Sequence, residues 1–192
     1  MIIAKNNGGN FEMIPEGTHQ AVCFAVHDIG LQSNNFGTTQ HKVVISWEIK
    51  ETIKAEGEYK GKRYVISNRY TLSLNEKSTL RKHLESWRGK KFTAEELDKG
   101  FDIEKVIGVN CMISVVHTES KNGKTYANVS AVMSLAKGME KMTPENSTEP
   151  PDWVKELQGK AVQEESITAS NDIPEPDSID FDFSESNGPV TF

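Results

Sequence analysis

The sequence predicts a mainly β protein: five strands closed into a small Greek-key barrel, a helical insertion between the third and fourth strands, and an acidic, disordered C-terminal tail. Three observations carry this. Five stretches repeat with the period of two that marks a strand, the first by bulkier against smaller apolar residues and the others with one apolar row. Between the third and fourth of them the period changes to the helical one. Charge also divides along the chain: of 22 Lys and Arg and 28 Asp and Glu, the residues through Met142 hold 20 cations against 16 acids, and those after it hold 2 against 12. A hydrophobic share of 36% is low for a chain of 192 residues packed throughout, so an unpacked segment is expected, and the acidic end is where composition puts it.

The first strand is read from Gly17 to Ile29, with Val22, Phe24 and Val26 on one parity and Ala21, Cys23 and Ala25 on the other. Gly30 to Gln40 is polar and punctuated by glycine, a loop carrying one aromatic, Phe36. Val43, Ile45, Trp47 and Ile49 then oppose Lys42, Ser46, Glu48 and Lys50 in a second strand. After the charged connection Glu51 to Gly61, a third strand over Lys62 to Leu74 puts Tyr64, Ile66, Tyr70, Leu72 and Leu74 on the core side. Arg63, Val65, Ser67, Arg69 and Thr71 face away. Leu80, Leu84 and Trp87 make one helical stripe over Glu76 to Arg88, with Asn75 as the cap candidate. Thr93 and Glu96 form a capping box for a second short helix, and Ile103, Val106 and Ile107 add an apolar turn that stops at Gly108.

The last two strands form a hairpin. Val109, Cys111, Ile113 and Val115 alternate with Asn110, Met112 and Ser114, and Ala127, Val129, Ala131, Met133 and Leu135 with Tyr126, Asn128, Ser130 and Ser134. A two-residue Asn122-Gly123 turn would set the two apolar rows on opposite faces. A three-residue loop with Gly123 left-handed in a bulge pairs Ser120 with Lys124 and keeps the rows together, so the bulged hairpin is expected. Three strands, a helix and two strands are the connectivity of the OB-fold; a mixed α+β sandwich is the competing architecture. Residues 1–142 are read as this domain and 143–192 as the tail, in which Asp152 to Lys160 has the pattern of a helical turn.

Catalytic signatures are missing from the sequence: no GxxxxGK[ST], GxGxxG, HExxH or GxSxG run occurs. His19, His27, His41, His83 and His117 are scattered, without ligand spacing for zinc. Cys23 and Cys111 form no CxxC, and the strand parities place them on opposite faces of the sheet as reduced thiols. No enzyme activity, metal or cofactor is expected. Single-strand nucleic-acid binding needs cations along phosphates and rings under bases. Lys42, Arg63 and Arg69 fall on one outer strand face, and the loops after strands one and four add Phe36, Lys121 and Lys124, with Tyr126 beside the hairpin. Lys60, Lys62, Arg88, Lys90 and Lys91 add charge at the edges. Trp47, Tyr64, Tyr70 and Trp87 sit on core positions and are assigned to packing.

Three parts of the chain carry a resemblance: the hairpin Val115-Val116-His117 to Val129, the helical insertion Leu80 to Phe101, and the tail Asn171-Asp172-Ile173-Pro174 with Asp180-Phe181-Asp182-Phe183. In these the chain resembles phage-encoded single-stranded DNA-binding proteins of the OB-fold type. The resemblance implies sequence-nonspecific coating of single-stranded DNA in phage replication or recombination, in the bacterial host cytoplasm. It also implies a tail that recruits replication or recombination proteins through Asp172, Ile173, Asp180, Phe181, Asp182, Phe183 and Phe192. Bacterial members of the wider group end in Asp-Ile-Pro-Phe, whereas here Asp172-Ile173-Pro174 is internal and only a terminal Phe192 is kept, so screening of the basic groove is the stronger expectation for the tail. The rival reading is a protein-interaction module of such a complex without direct DNA contact. Assembly into a homo-oligomer is left open. No apolar run reaches the roughly 20 residues that a membrane helix needs.

Overall fold

Long alternating runs broken by glycine turns fold as an antiparallel sheet. The structure, a computed structural model, describes residues 12–33 and 37–161. Phe36 and the tail positions Asp172, Ile173, Asp180, Phe181, Asp182, Phe183 and Phe192 lie outside the described residues. The strands are β1 (Gly17–Ser33), β2 (Thr39–Thr52), β3 (Arg63–Thr71), β4 (Asn110–Glu119) and β5 (Thr125–Ser134). Between β3 and β4 come α1 (Thr79–Arg88), α2 (Ala94–Lys99) and a 3-10 turn at Ile103–Val106; α3 (Asp152–Gly159) follows β5. All pairings are antiparallel in the order β3-β2-β1-β4-β5. The sheet is open: β3 and β5 are its edges, with no ladder between them, where a closed barrel was expected. Cα atoms of the two edge strands still approach within 8 Å, and α1 packs against both.

The main core lies on the inner face. Val43, Ile45, Trp47 and Ile49 of β2 meet Tyr64, Ile66 and Tyr70 of β3 there, and the α1 stripe Leu80, Leu84 and Trp87 covers them. Trp87 stands 6.0 Å from Trp47, ring to ring, and its indole N–H donates to the Asn110 carbonyl at 3.1 Å. The α1 cap is Ser78 rather than Asn75, whose side chain instead accepts the Lys77 N–H at 3.0 Å in a turn just before the helix. The Thr93–Glu96 capping box is present. The hairpin has the expected bulge: Ser120 N–H donates to the Lys124 carbonyl at 2.8 Å, and Gly123 takes φ +72°. That conformation is cheap only for a residue without a Cβ.

Two irregularities change which residues face inward. The β1 register slips between Cys23 and Ala25, so Ala21, Cys23 and Val26 all belong to the inner core. Cys23 and Cys111 therefore share one face, contrary to the parity reading, and burial pushes the Cys23 thiol up to about 12 and that of Cys111 up as well. Both are free cysteines. A second slip on β5, opposite Ser114 and Val115, turns Val132 inward in place of Ala131 and Met133. Val109, expected in the apolar row, is exposed. Leu72 is also exposed, because β3 ends at Thr71.

The outer face is covered too, and by residues composition assigned to the tail. Described residues beyond Met142 pack on the same compact unit, and residues 163–192 lie wholly outside the described residues. Residues 139–146 form a strap across the strands. Gln20 donates to the Glu140 carbonyl at 2.6 Å, and Asn110 brackets the Met142 backbone with two bonds of 2.8 and 2.7 Å. Then α3 seats Val154 against Ile29 and Val44, all three buried, with Leu157 beside them. Burying a valine in this way is worth about 1.5–3 kcal/mol. Among the described residues no helix is long and apolar enough to cross a membrane.

Burial also sets a pH dependence. His83 Nδ1 lies 2.8 Å from the Tyr70 hydroxyl, and burial holds its pKa below the ordinary 6.5; burial does the same to His27. The unfolded chain takes up protons near 6.5 while the folded rings resist them, so this stability is complete above that pH and is lost as pH falls through it. Thermal unfolding should therefore move to lower temperature between about pH 7.5 and about pH 5.5, with a shallower dependence in His83→Asn. An identical slope in that variant would contradict the assignment. The carboxyls of Glu12, Glu85 and Glu96 are lowered, chiefly by backbone N–H donors, and act only in the more acidic range.

Candidate nucleic-acid interface

The ladder between β2 and β3 fixes the outer face. Lys42 lies opposite Thr71, Val44 opposite Arg69, Ser46 opposite Ser67 and Glu48 opposite Val65. Lys42, Arg63 and Arg69 therefore share a face, as their parity predicts. They are not equally available. Arg63 is only 21% exposed; its Nη1 is 3.0 Å from Glu48 Oε2 and 2.8 Å from the Thr143 carbonyl, and its Nη2 is 2.7 Å from Glu145 Oε1. Glu48 is fully buried, and its other oxygen accepts the N–H groups of Glu145 and Asn146 at 2.8 and 2.6 Å. The charge of Arg63 is thus compensated inside the fold, where it fastens the strap. Strand three alone contains no acid, but Glu48 is the diagonal cross-strand neighbour of Arg63 on that face, which is the signal parity counting passed over.

Arg69 is exposed, with its guanidinium 5.8 Å from the Trp153 ring of α3, a distance at which a cation is attracted to the indole face. Lys42 is half-buried. Among the described residues neither forms an ion pair. At the hairpin, Lys121 and Lys124 are exposed and likewise unpaired within the described residues, and Tyr126 is 52% exposed opposite Thr118. Val116, diagonal to Tyr126 on that face, is exposed as well. The outer face thus has two cationic ends, Lys42 with Arg69 and Lys121 with Lys124, and the strap runs between them.

Sequence reading missed a third element. A groove of about 820 Å³ is lined by Tyr59, Lys62, Arg63, Val65 and Ser67 together with Ala127 of β5. Lys62 Nζ stands 5.0 Å from the centre of the Tyr59 ring, and Val65 is exposed. Val65 on the outward parity of β3 was the available clue. The histidines are engaged separately: His19 with Glu51 and the Pro15 carbonyl, His41 with Asp28, His117 with the Ile14 carbonyl. No three His, Cys, Asp or Glu side chains converge as metal ligands among the described residues. No protein-family model and no curated protein matches this chain.

Proposed function

We propose that the chain binds single-stranded DNA without reading its base sequence and carries out no catalysis, acting in phage replication or recombination. In this reading the sheet is of the OB type, a partly open barrel whose second and third strands and whose first and last loops form the binding surface. The strand order and the placing of α1 across the β3 and β5 edges support it. The observation that carries the functional reading is the outer face itself. Its buried acid is tied to Arg63, while Lys42, Arg69, Lys121 and Lys124 have no acidic partner among the described residues and Tyr126 stands exposed beside two of them. Arg63 is left out of the proposed contact set, and Phe36 stays in it on its position in the loop after β1.

Residues 163–192 hold eight acids and no Lys or Arg. They compete with DNA phosphates for the cationic face, and the Asp and Phe positions from Asp172 to Phe192 are the ones available to replication or recombination partners. A rival reading, a protein-interaction module, is favoured by one observation: the open β3 edge beside exposed Val65 and Tyr59 could accept an extended peptide. Anisotropy with a labelled oligothymidine and with a duplex of equal length separates the two. Single strands are expected to bind at low salt at least tenfold tighter than duplex, and tighter still to a chain lacking residues 163–192. Absence of any oligothymidine binding at low salt would favour the rival.

A further inference from the structure

The geometry points to a phosphate-binding subsite where β2, β3 and the start of α1 meet. It deepens the single-strand reading and rests on it for the source of the phosphate. A polar recess of about 570 Å³ lies there, and three cations line it: Lys42 from β2, Arg69 from β3 and Lys77 from the turn before α1. Among the described residues no carboxylate lines it and none of the three cations forms an ion pair. Three like charges around one concavity repel each other, and an anion seated between them removes that cost.

The remaining wall is mostly polar side chains, with Tyr70 and Leu80 from the core beside them. Asn75 and Ser78 line the recess with Thr79, and the turn that presents them is held by its own bonds, Asn75 N–H to Ser73 Oγ at 3.1 Å and Ser78 N–H to the Asn75 carbonyl at 2.8 Å. The Ser78 side chain makes no capping bond, and the first turn of α1 contains no acid. Its leading N–H groups therefore remain available, at the positive end of the helix dipole, beside cations that already favour an anion. Arg69 and Lys42 were expected to follow the DNA backbone from their parity alone. Lys77 and the α1 start were not, because parity on strands says nothing about a helix arriving at the same corner.

The ligand chemistry is a tetrahedral oxyanion, either a phosphodiester of the bound strand or a free phosphate. The test follows the backbone amide resonances of Thr79 and Leu80 in the full chain during separate titrations with oligothymidine and with inorganic phosphate, and repeats both with Lys77→Ala. The expected result is that oligothymidine shifts both amides, that Lys77→Ala removes the shifts, and that this variant binds oligothymidine about 3- to 10-fold more weakly. Its salt slope should be shallower by about 0.7, the value of one single-strand phosphate contact. Lys137→Ala, an exposed lysine beyond β5, should leave shifts and affinity unchanged. Shifts with inorganic phosphate but no oligothymidine binding would uphold the subsite for free phosphate and overturn the DNA reading. Tight oligothymidine binding that leaves both amides unmoved would overturn the subsite and leave the DNA reading standing. If neither titrant moves them, the subsite is overturned.

Discussion

Replacing Arg63 by Ala should lower the melting temperature by roughly 10 °C while leaving the salt dependence of oligothymidine binding unchanged. Removing one partner of a buried ion pair costs about 3–5 kcal/mol, and in a domain of this size each kcal/mol moves the midpoint by about 2–4 °C. Glu48 is fully buried and keeps two backbone N–H donors from Glu145 and Asn146 when the guanidinium is removed, so the lower end of that range applies. The 143–146 strap loses its bonds to Arg63 at the same time. Combining Arg63→Ala with Glu48→Gln, which removes the uncompensated charge, should recover part of the loss. Thermal unfolding followed by circular dichroism measures this, and an unchanged midpoint in Arg63→Ala would remove Arg63 from the role assigned to it here.

The second large effect is on binding. The combined variant Lys42→Ala, Arg69→Ala, Lys121→Ala, Lys124→Ala and Tyr126→Ala should bind oligothymidine on the order of 10³-fold more weakly near 0.1 M salt, from the loss of four single-strand phosphate contacts. Loss of one stacked base adds about 1–3 kcal/mol. These side chains are exposed or half-buried and take no part in the buried polar network, so the midpoint of unfolding should move by only a few degrees. Arg69 is the one with a visible partner, the Trp153 ring, and its loss should loosen α3 slightly. Full binding by a well-folded variant would show that the contact surface lies elsewhere, with the groove beside Tyr59, Lys62 and Val65 the first place to look.

Alternation told where β2 and β3 run and which of their residues face the inner core, because the two are paired in regular register from Lys42 to Glu48, but it placed Ser46 and Glu48 in an outer row that is buried as well. The α1 stripe, the Thr93–Glu96 box and the Gly123 bulge were readable for the same reason: each is a local signal in which one residue type serves one geometry. The slips at Cys23/Ala25 on β1 and opposite Ser114/Val115 on β5 were not. A bulge adds one residue and flips the faces beyond it, and nothing in Val22-Cys23-Phe24-Ala25 marks it, since both faces there are buried. The second cover is what hid it. Residues 139–161 escape a hydropathy reading, and those from 143 on look like tail in composition, because few apolar side chains, chiefly Met142, Val154 and Leu157, anchor them. The rest of their attachment is polar, through Gln20, Asn110, Glu48 and Arg63, and hydropathy does not register a segment docked by hydrogen bonds.

That cover also changes how the basic face must be read. Parity places Arg63, Arg69 and Lys42 together, but only burial and ion pairing separate a cation that holds the fold from cations free to meet a ligand. The proposed DNA contact rests on the second group. It is tested most directly by the slope of log affinity against log salt for the full chain on oligothymidine. Five engaged cations, Lys77 included, predict a slope of about −3.5, falling to about −0.7 in the variant that lacks Lys42, Arg69, Lys121 and Lys124. A flat dependence in the unaltered chain, or the same slope in both, would contradict it.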